Sequence, residues 1–222
     1  MTRRTLTRAG TAIGLGLLIG IAGCSGDGNG HDDDSMRSTS QQSATHDRPD
    51  QERADQEQTA MTGTQQSGPS VRGVRFEMAD GSLATMDEFQ GRVVLVVNTA
   101  SRCGLTPQVG QLETLQQANA GKPFTVLAFP SASFNQEPLA SAEAASFCAD
   151  MGATYPVAAK VDVKGESAHP LFATLSEQGG EPTWNFTKYL VDKDGNVVAR
   201  FDPRTEPTSA EIQSAIDAAL RG

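Results

Sequence analysis

The run Val93-Val94-Leu95-Val96-Val97-Asn98 constrains this chain more than any other segment. Large, mostly β-branched aliphatic residues with no polar alternation make a strand that must be buried. The run breaks at Thr99-Ala100-Ser101-Arg102-Cys103-Gly104-Leu105, after which Thr106-Pro107 has the form of an N-cap followed by proline at the first helical position. Cys103 is thereby placed in a strand-to-helix turn, close to free backbone N–H groups and the positive end of a helix. Both favour the thiolate, which is the reactive form of cysteine. The same local sequence suits a buried structural cysteine as well, and both readings stand at this point.

The surrounding elements follow from periodicity. Arg75 to Met78 and Ser82 to Thr85, split by Asp80-Gly81, form a β-hairpin. After the Val93 strand comes a helix from Pro107 to about Ala118, with Val109, Leu112 and Leu115 as its apolar face. Phe124 to Phe129 is a second buried strand, ended by Pro130. A helix capped by Ser141 runs to about Met151, a strand covers Pro156 to Val163, and a helix covers His169 to Ser176. Asn185 to Val191 and Val197 to Phe201 flank Asp194-Gly195, a hairpin signal, and an amphipathic helix spans Ser209 to Leu220. Alternating βα units closed by a hairpin and a helix give an α/β fold with a mixed central sheet flanked by helices and an N-terminal β-hairpin. The thioredoxin fold has this order.

The chain before residue 71 is of another kind. Arg3, Arg4 and Arg8 precede an apolar stretch from Thr11 to Gly23, too short to span a bilayer and suited to a signal peptide over 1–23. Ile21-Ala22-Gly23-Cys24 resembles the lipobox of bacterial lipoproteins, which implies cleavage before Cys24, lipidation of that residue and stable anchoring to a membrane on the extracytoplasmic side. Residues 25–70 carry nine acids and three arginines with no aromatic residue, so they cannot bury enough apolar surface to fold. The segment 24–70 reads as a lipidated cysteine and a disordered linker, spanning roughly 35–40 Å as a flexible coil. Residues 71–222 suffice for one domain with a sizeable core. Its mildly acidic balance argues against nucleic acid as a partner.

Within that domain, Asn98-Thr-Ala-Ser-Arg-Cys-Gly-Leu-Thr-Pro-Gln108 resembles the active-site segment of the glutathione peroxidases. Phe129-Pro130 with Gln136-Glu137-Pro138, His169-Pro170-Leu171 and Trp184-Asn185-Phe186-Thr187-Lys188 resemble further segments of the same family, in its order and near its spacings. The resemblance implies a thioredoxin-like fold that reduces hydroperoxides. It implies that Cys103 is the peroxidatic cysteine and that Trp184 and Asn185 are two further members of the catalytic tetrad. An indole N–H and an amide NH₂ can donate to a thiolate and to peroxide oxygens. The family's fourth member is a glutamine within Phe-Pro-Cys-Asn-Gln-Phe. Here Phe129-Pro130-Ser131-Ala132-Ser133-Phe134 puts Ser133 at that place, in a loop one residue shorter. Asn135 and Gln136 are the nearby amides that could replace it.

Cys148, set before Tyr155-Pro156, matches the resolving cysteine of thioredoxin-dependent, two-cysteine members. The resemblance then implies a Cys103 sulfenic acid that condenses with Cys148, recycled by a thioredoxin-like dithiol or by glutathione. Cysteines on separate elements seldom meet unaided, so the Cys148 helix is expected to unwind in part during turnover. The short Glu177-to-Thr183 connection lacks the inserted loop of family oligomers, which implies a monomer. Three scattered cysteines and one domain histidine provide no metal-ligand spacing, and no metal or cofactor is expected. A cysteine hydrolase would need a histidine base, and His169 before Pro170 has the setting of a helix cap or backbone partner. The rival from another class is a peroxide sensor or binding module with decayed catalysis, which the Ser133 departure motivates.

Overall fold

The structure, a computed structural model, describes residues 70–222; the leader, Cys24 and the linker lie outside the described residues. The elements are β1 (Arg75–Glu77), β2 (Leu83–Thr85), a 3₁₀ turn (Met86–Phe89), β3 (Val93–Thr99), α1 (Gln108–Ala118), β4 (Phe124–Pro130), α2 (Ser141–Asp150), α3 (Pro170–Gly179), β5 (Lys188–Val191), β6 (Val197–Phe201) and α4 (Ala210–Arg221). β1 and β2 form the expected hairpin, and the main sheet has the order β4-β3-β5-β6. β3 pairs in parallel with β4 and antiparallel with β5, and β5 pairs antiparallel with β6. This is the thioredoxin-like arrangement, with a mixed sheet between helices.

The five aliphatic residues of β3 supply both cores, because alternate side chains of a strand point to opposite faces. Val93, Leu95 and Val97 pack with Leu112 and Leu115 of α1 and with Ile212 and Ile216 of α4. Val94 and Val96 pack on the other face with Leu171, Phe172 and Leu175 of α3 and with Phe76 of the hairpin. Each such side chain contributes about 1.5–3 kcal/mol on burial, which makes β3 the axis of the fold. The β5–β6 turn uses Asp194-Gly195, as expected. Gly195 has φ +86°, and a Cβ there would stand 2.7 Å from the Ser70 Oγ, so both backbone angle and space demand glycine.

Three local expectations are corrected. Ser141 is the first residue of α2 and not its cap. Ala140 takes the cap position, its N–H donating to Glu143 Oε2 at 3.0 Å, while Ser141 Oγ accepts from Lys160 N–H at 3.0 Å. Residues 156–163 form only isolated bridges, Ala128 with Val157 and Met78 with Ala158. Pro156 has no N–H to donate, and the segment's donors divide between two partners. Ala158 N–H reaches Ala128 O and Ala159 N–H reaches Glu77 O, both at 2.8 Å, so the segment ties the hairpin to β4. Finally, β5 begins at Lys188 and not at Asn185, because Phe186 adopts φ +69° and interrupts the extended backbone.

Candidate active site

Cys103 sits where β3 gives way to α1, in a turn organised by Thr106. The Thr106 hydroxyl donates to Ala100 O at 2.9 Å and lies 2.7 Å from Cys103 O, and its oxygen accepts the Cys103 N–H at 3.1 Å. Thr106 thus closes the turn through its side chain, and α1 itself starts at Gln108. Leu105 N–H points at the Cys103 Sγ, 3.4 Å away. Cys103 is only 8% exposed, yet it lines a cavity of about 750 Å³ together with Gly104, Leu105, Thr183, Trp184, Asp202, Pro203 and Arg204.

Trp184 reaches the same cavity from the segment preceding β5. It is 41% exposed, and its ring lies 5.2 Å from the Phe134 ring, with Lys164 Nζ 4.5 Å from the centre of Phe134 on that ring's face. The Trp184 backbone is fixed by two donors to its carbonyl, Asn98 Nδ2 at 3.2 Å and Thr187 Oγ1 at 2.9 Å. Phe186, fully buried, holds the left-handed φ that bends this segment; a bulky residue there costs on the order of 1–3 kcal/mol. Its N–H donates to Asn98 O at 2.6 Å, so the strained bend is stitched to the end of β3 just before Cys103.

Asn185 is fully buried, and its Nδ2 donates to Gln136 Oε1 at 2.9 Å. Gln136 is in turn tied to the cysteine turn, because its carbonyl accepts the Arg102 N–H at 3.0 Å. The amide beside Asn185 therefore comes from Gln136. Ser133 is directed elsewhere: its hydroxyl accepts from Val163 N–H at 3.0 Å and from Ser131 Oγ at 3.1 Å, and it lies 3.4 Å from Asp162 Oδ1. Asn135, at φ +57°, serves as a turn residue. Cys148 is 3% exposed in the last part of α2, within the same apolar core as Cys103, and both are free thiols. Burial pushes the Cys148 thiol up to about 11, with the Glu137 carboxylate adding to the rise.

His169 caps α3: its Nδ1 accepts the Leu171 N–H at 3.2 Å. Burial lowers the pKa of this ring and so favours the neutral form that can accept.

Sequence reasoning attached no task to Glu137, which the structure gives one. Its carboxylate, buried, accepts from Ser101 N–H and Ser101 Oγ, both at 2.8 Å, and from Leu139 N–H at 3.0 Å. It thereby clamps the turn that carries Cys103 to the loop that carries Gln136. An acid within a Gln-Glu-Pro segment was the available signal, but its partner 36 residues away was not readable. Glu137→Ala is expected to lower the free energy of unfolding by about 3 kcal/mol, because charge-assisted bonds are lost and Ser101 N–H is left without its partner. Urea denaturation checks this, and a loss below 1 kcal/mol would remove the clamp.

The glutathione peroxidase family model matches residues 73–176. A "Hydroperoxy fatty acid reductase gpx1" of Synechocystis sp. is 40% identical over 170 residues, covering 71% of this chain and 99% of that protein. A "Thioredoxin/glutathione peroxidase BtuE" of Escherichia coli is 37% identical over 168 residues, covering 64% of this chain and 92% of that protein. Among solved structures, that of Trgpx in apo form is 32% identical with a TM-score of 0.57, covering 69% of this chain and 97% of that one. A thioredoxin-like fold with a cysteine at the β3–α1 turn, sharing a cavity with a tryptophan, defines a class of thiol-dependent redox proteins. Within that class this chain belongs to the glutathione peroxidase family, and it is a peroxidase.

Proposed function

We propose that Cys103 is the peroxidatic cysteine of a thiol peroxidase that reduces hydrogen peroxide and organic or lipid hydroperoxides. The observation that carries this reading is the cavity shared by Cys103 and Trp184, with a backbone donor already at the sulfur. The Cys103 thiolate attacks the terminal peroxide oxygen, a sulfur–oxygen bond forms and the O–O bond breaks. The departing alkoxide or hydroxide takes a proton and leaves as alcohol or water, and sulfur is left as sulfenic acid. Trp184 has an indole N–H to offer the departing oxygen, and the Asn185–Gln136 pair fixes the loop behind it. Gln136 supplies the amide that meets Asn185, while Ser133, at the place where the resemblance puts the family's glutamine, accepts from Val163 N–H.

Cys148 is the resolving residue in this reading. Its thiol condenses with the sulfenic acid, releasing water and forming a Cys103–Cys148 disulfide. A thioredoxin-like dithiol then reduces that bond to two thiols and is itself oxidised to a disulfide. The relative of Escherichia coli carries both thioredoxin and glutathione in its name, and a buried second cysteine favours the dithiol here. The reading extends to export and anchoring through a lipidated Cys24, with residues 24–70 as tether and 71–222 as a monomeric catalytic domain, which would set the site near membrane lipid hydroperoxides.

Stopped-flow oxidation of the purified domain by hydrogen peroxide and a lipid hydroperoxide, followed by recycling with thioredoxin, tests this. Oxidation at least a hundred times faster than a free thiol is expected. Oxidation no faster than a free thiol overturns the peroxidase mechanism. Fast oxidation without dithiol recycling would instead favour the sensor reading.

A further inference from the structure

Lys188 is the last residue of the Trp184-Asn185-Phe186-Thr187-Lys188 segment, and the mechanism above gives it nothing to do. Its side chain is fully buried, which for lysine requires specific compensation. The compensation is a ring of three backbone carbonyls from one loop: Nζ donates to Thr205 O at 2.6 Å, to Pro203 O at 3.0 Å and to Asp202 O at 3.5 Å. An ammonium has three N–H groups to give, and the loop presents three acceptors. Burial draws the pKa of this group down to about 7, and the nearby Asp202 draws it back up. The Asp202 carboxylate is itself paired with Arg200 Nη1 at 2.8 Å and so is not the main partner of Lys188.

The loop held in this way is one wall of the Cys103 cavity. Asp202, Pro203 and Arg204 line it together with Gly104 and Leu105. A second buried donor fastens the same wall, since Gln108 Nε2 reaches Pro203 O at 2.8 Å. Lys188 stands four residues after Trp184 and Gln108 five after Cys103. Cys103 and Trp184, which both line the cavity, are therefore each followed by a buried group that grips the 202–205 loop.

We infer that Lys188 is a positioning residue that fixes the 202–205 wall of the Cys103 cavity and thereby the contacts made by the organic part of a hydroperoxide. Hydrogen peroxide is too small to use that wall, whereas an organic hydroperoxide fills the cavity beyond the sulfur. Loss of the anchor therefore acts on substrate discrimination. The inference rests on the proposed role of Cys103 only for its kinetic arm.

The test is Lys188→Met, which keeps the apolar stem and removes the three donors. Second-order rate constants for oxidation of the enzyme by cumene hydroperoxide and by hydrogen peroxide are compared with wild type. The ratio of the first to the second is expected to fall about tenfold, with the hydrogen peroxide constant within threefold of wild type. Acrylamide quenching of Trp184, the only tryptophan in the chain, is expected to rise about twofold as the wall loosens. Quenching needs no peroxidase activity, so it decides the matter even where the peroxide reaction of the wild type fails. An unchanged ratio in an active enzyme, or unchanged quenching, overturns the inference. Where Lys188→Met does not fold, Gln108→Leu removes one donor from the same Pro203 carbonyl and is read in the same way, with a smaller shift expected.

Discussion

Cys103→Ser should reduce hydroperoxide turnover at least a thousandfold while leaving the fold intact. The substitution replaces a sulfur that is 8% exposed by a slightly smaller oxygen that can still accept from Leu105 N–H, in a turn held mainly through Thr106 and Glu137. Stability should therefore change by no more than about 1 kcal/mol. The chemistry, in contrast, has no substitute. A serine hydroxyl is a far poorer nucleophile than a thiolate toward an O–O bond. Cys148 cannot take over: it is buried, and with its thiol pushed up to about 11, only about one molecule in ten thousand carries its thiolate at pH 7. Peroxide consumption coupled to a thioredoxin system measures the loss. Retention of more than a tenth of the wild-type rate would mean that another group reacts with peroxide.

The position of that thiol was legible because it depends on local pattern. An aliphatic run long enough to be buried on both faces, an abrupt turn and a Thr-Pro helix start leave few places for Cys103, and β3 and α1 lie within one residue of where periodicity puts them. His169 before Pro170 has the setting of a helix cap or a backbone partner, and of the two the cap is what forms. What could not be read is whatever depends on a partner distant in sequence. Glu137 bonds to Ser101, Gln136 to Asn185 and Lys188 to three carbonyls of the 202–205 loop, and none of these pairs is encoded in spacing. Residues 156–163 depart from the expected strand for a related reason: the segment is largely apolar, but its donors are shared between β4 and the hairpin instead of building one ladder. At the glutamine position, the motif resemblance points to Ser133, whereas Val163 draws that hydroxyl away and the Gln136 side chain meets Asn185.

Cys148→Ser separates the two halves of the proposed cycle and should show the second-largest effect, about a hundredfold loss of thioredoxin-driven turnover with the first oxidation of Cys103 unchanged within twofold. The sulfenic acid, unresolved, should then accumulate and pass to sulfinic acid under excess peroxide, as mass spectrometry would show. Normal turnover in this variant removes the two-cysteine mechanism. In the proposed cycle, resolution begins with the opening of the Cys148 helix. A disulfide needs the two Cα atoms within about 4.4–6.8 Å, and Cys148 lies buried near the end of a helix as an un-ionised thiol. That helix buries the smallest apolar side chains: α2 buries only Ala144 and Cys148, whereas α1 buries Val109, Leu112 and Leu115, α3 buries Leu171, Phe172 and Leu175, and α4 buries Ile212 and Ile216. Its last turn is held by a few backbone bonds, such as Ala153 N–H to Cys148 O at 3.0 Å, each worth about 1 kcal/mol. Unwinding exposes Cys148, removes the burial that raises its pKa and distances it from Glu137. The attacking species is the thiolate, so the rate of disulfide formation climbs with pH until the thiol is fully ionised. Attack from the closed helix would carry that climb to about 11, whereas attack after unwinding levels off near the ordinary thiol value of 9.0. At pH 7 the difference amounts to about a hundredfold more thiolate in the open form, which is what makes local unwinding worth its cost. After Cys103 is oxidised with one equivalent of hydrogen peroxide, the rate of the following step should bend near pH 9, and a climb unbroken beyond pH 10 would show that Cys148 attacks from the closed helix.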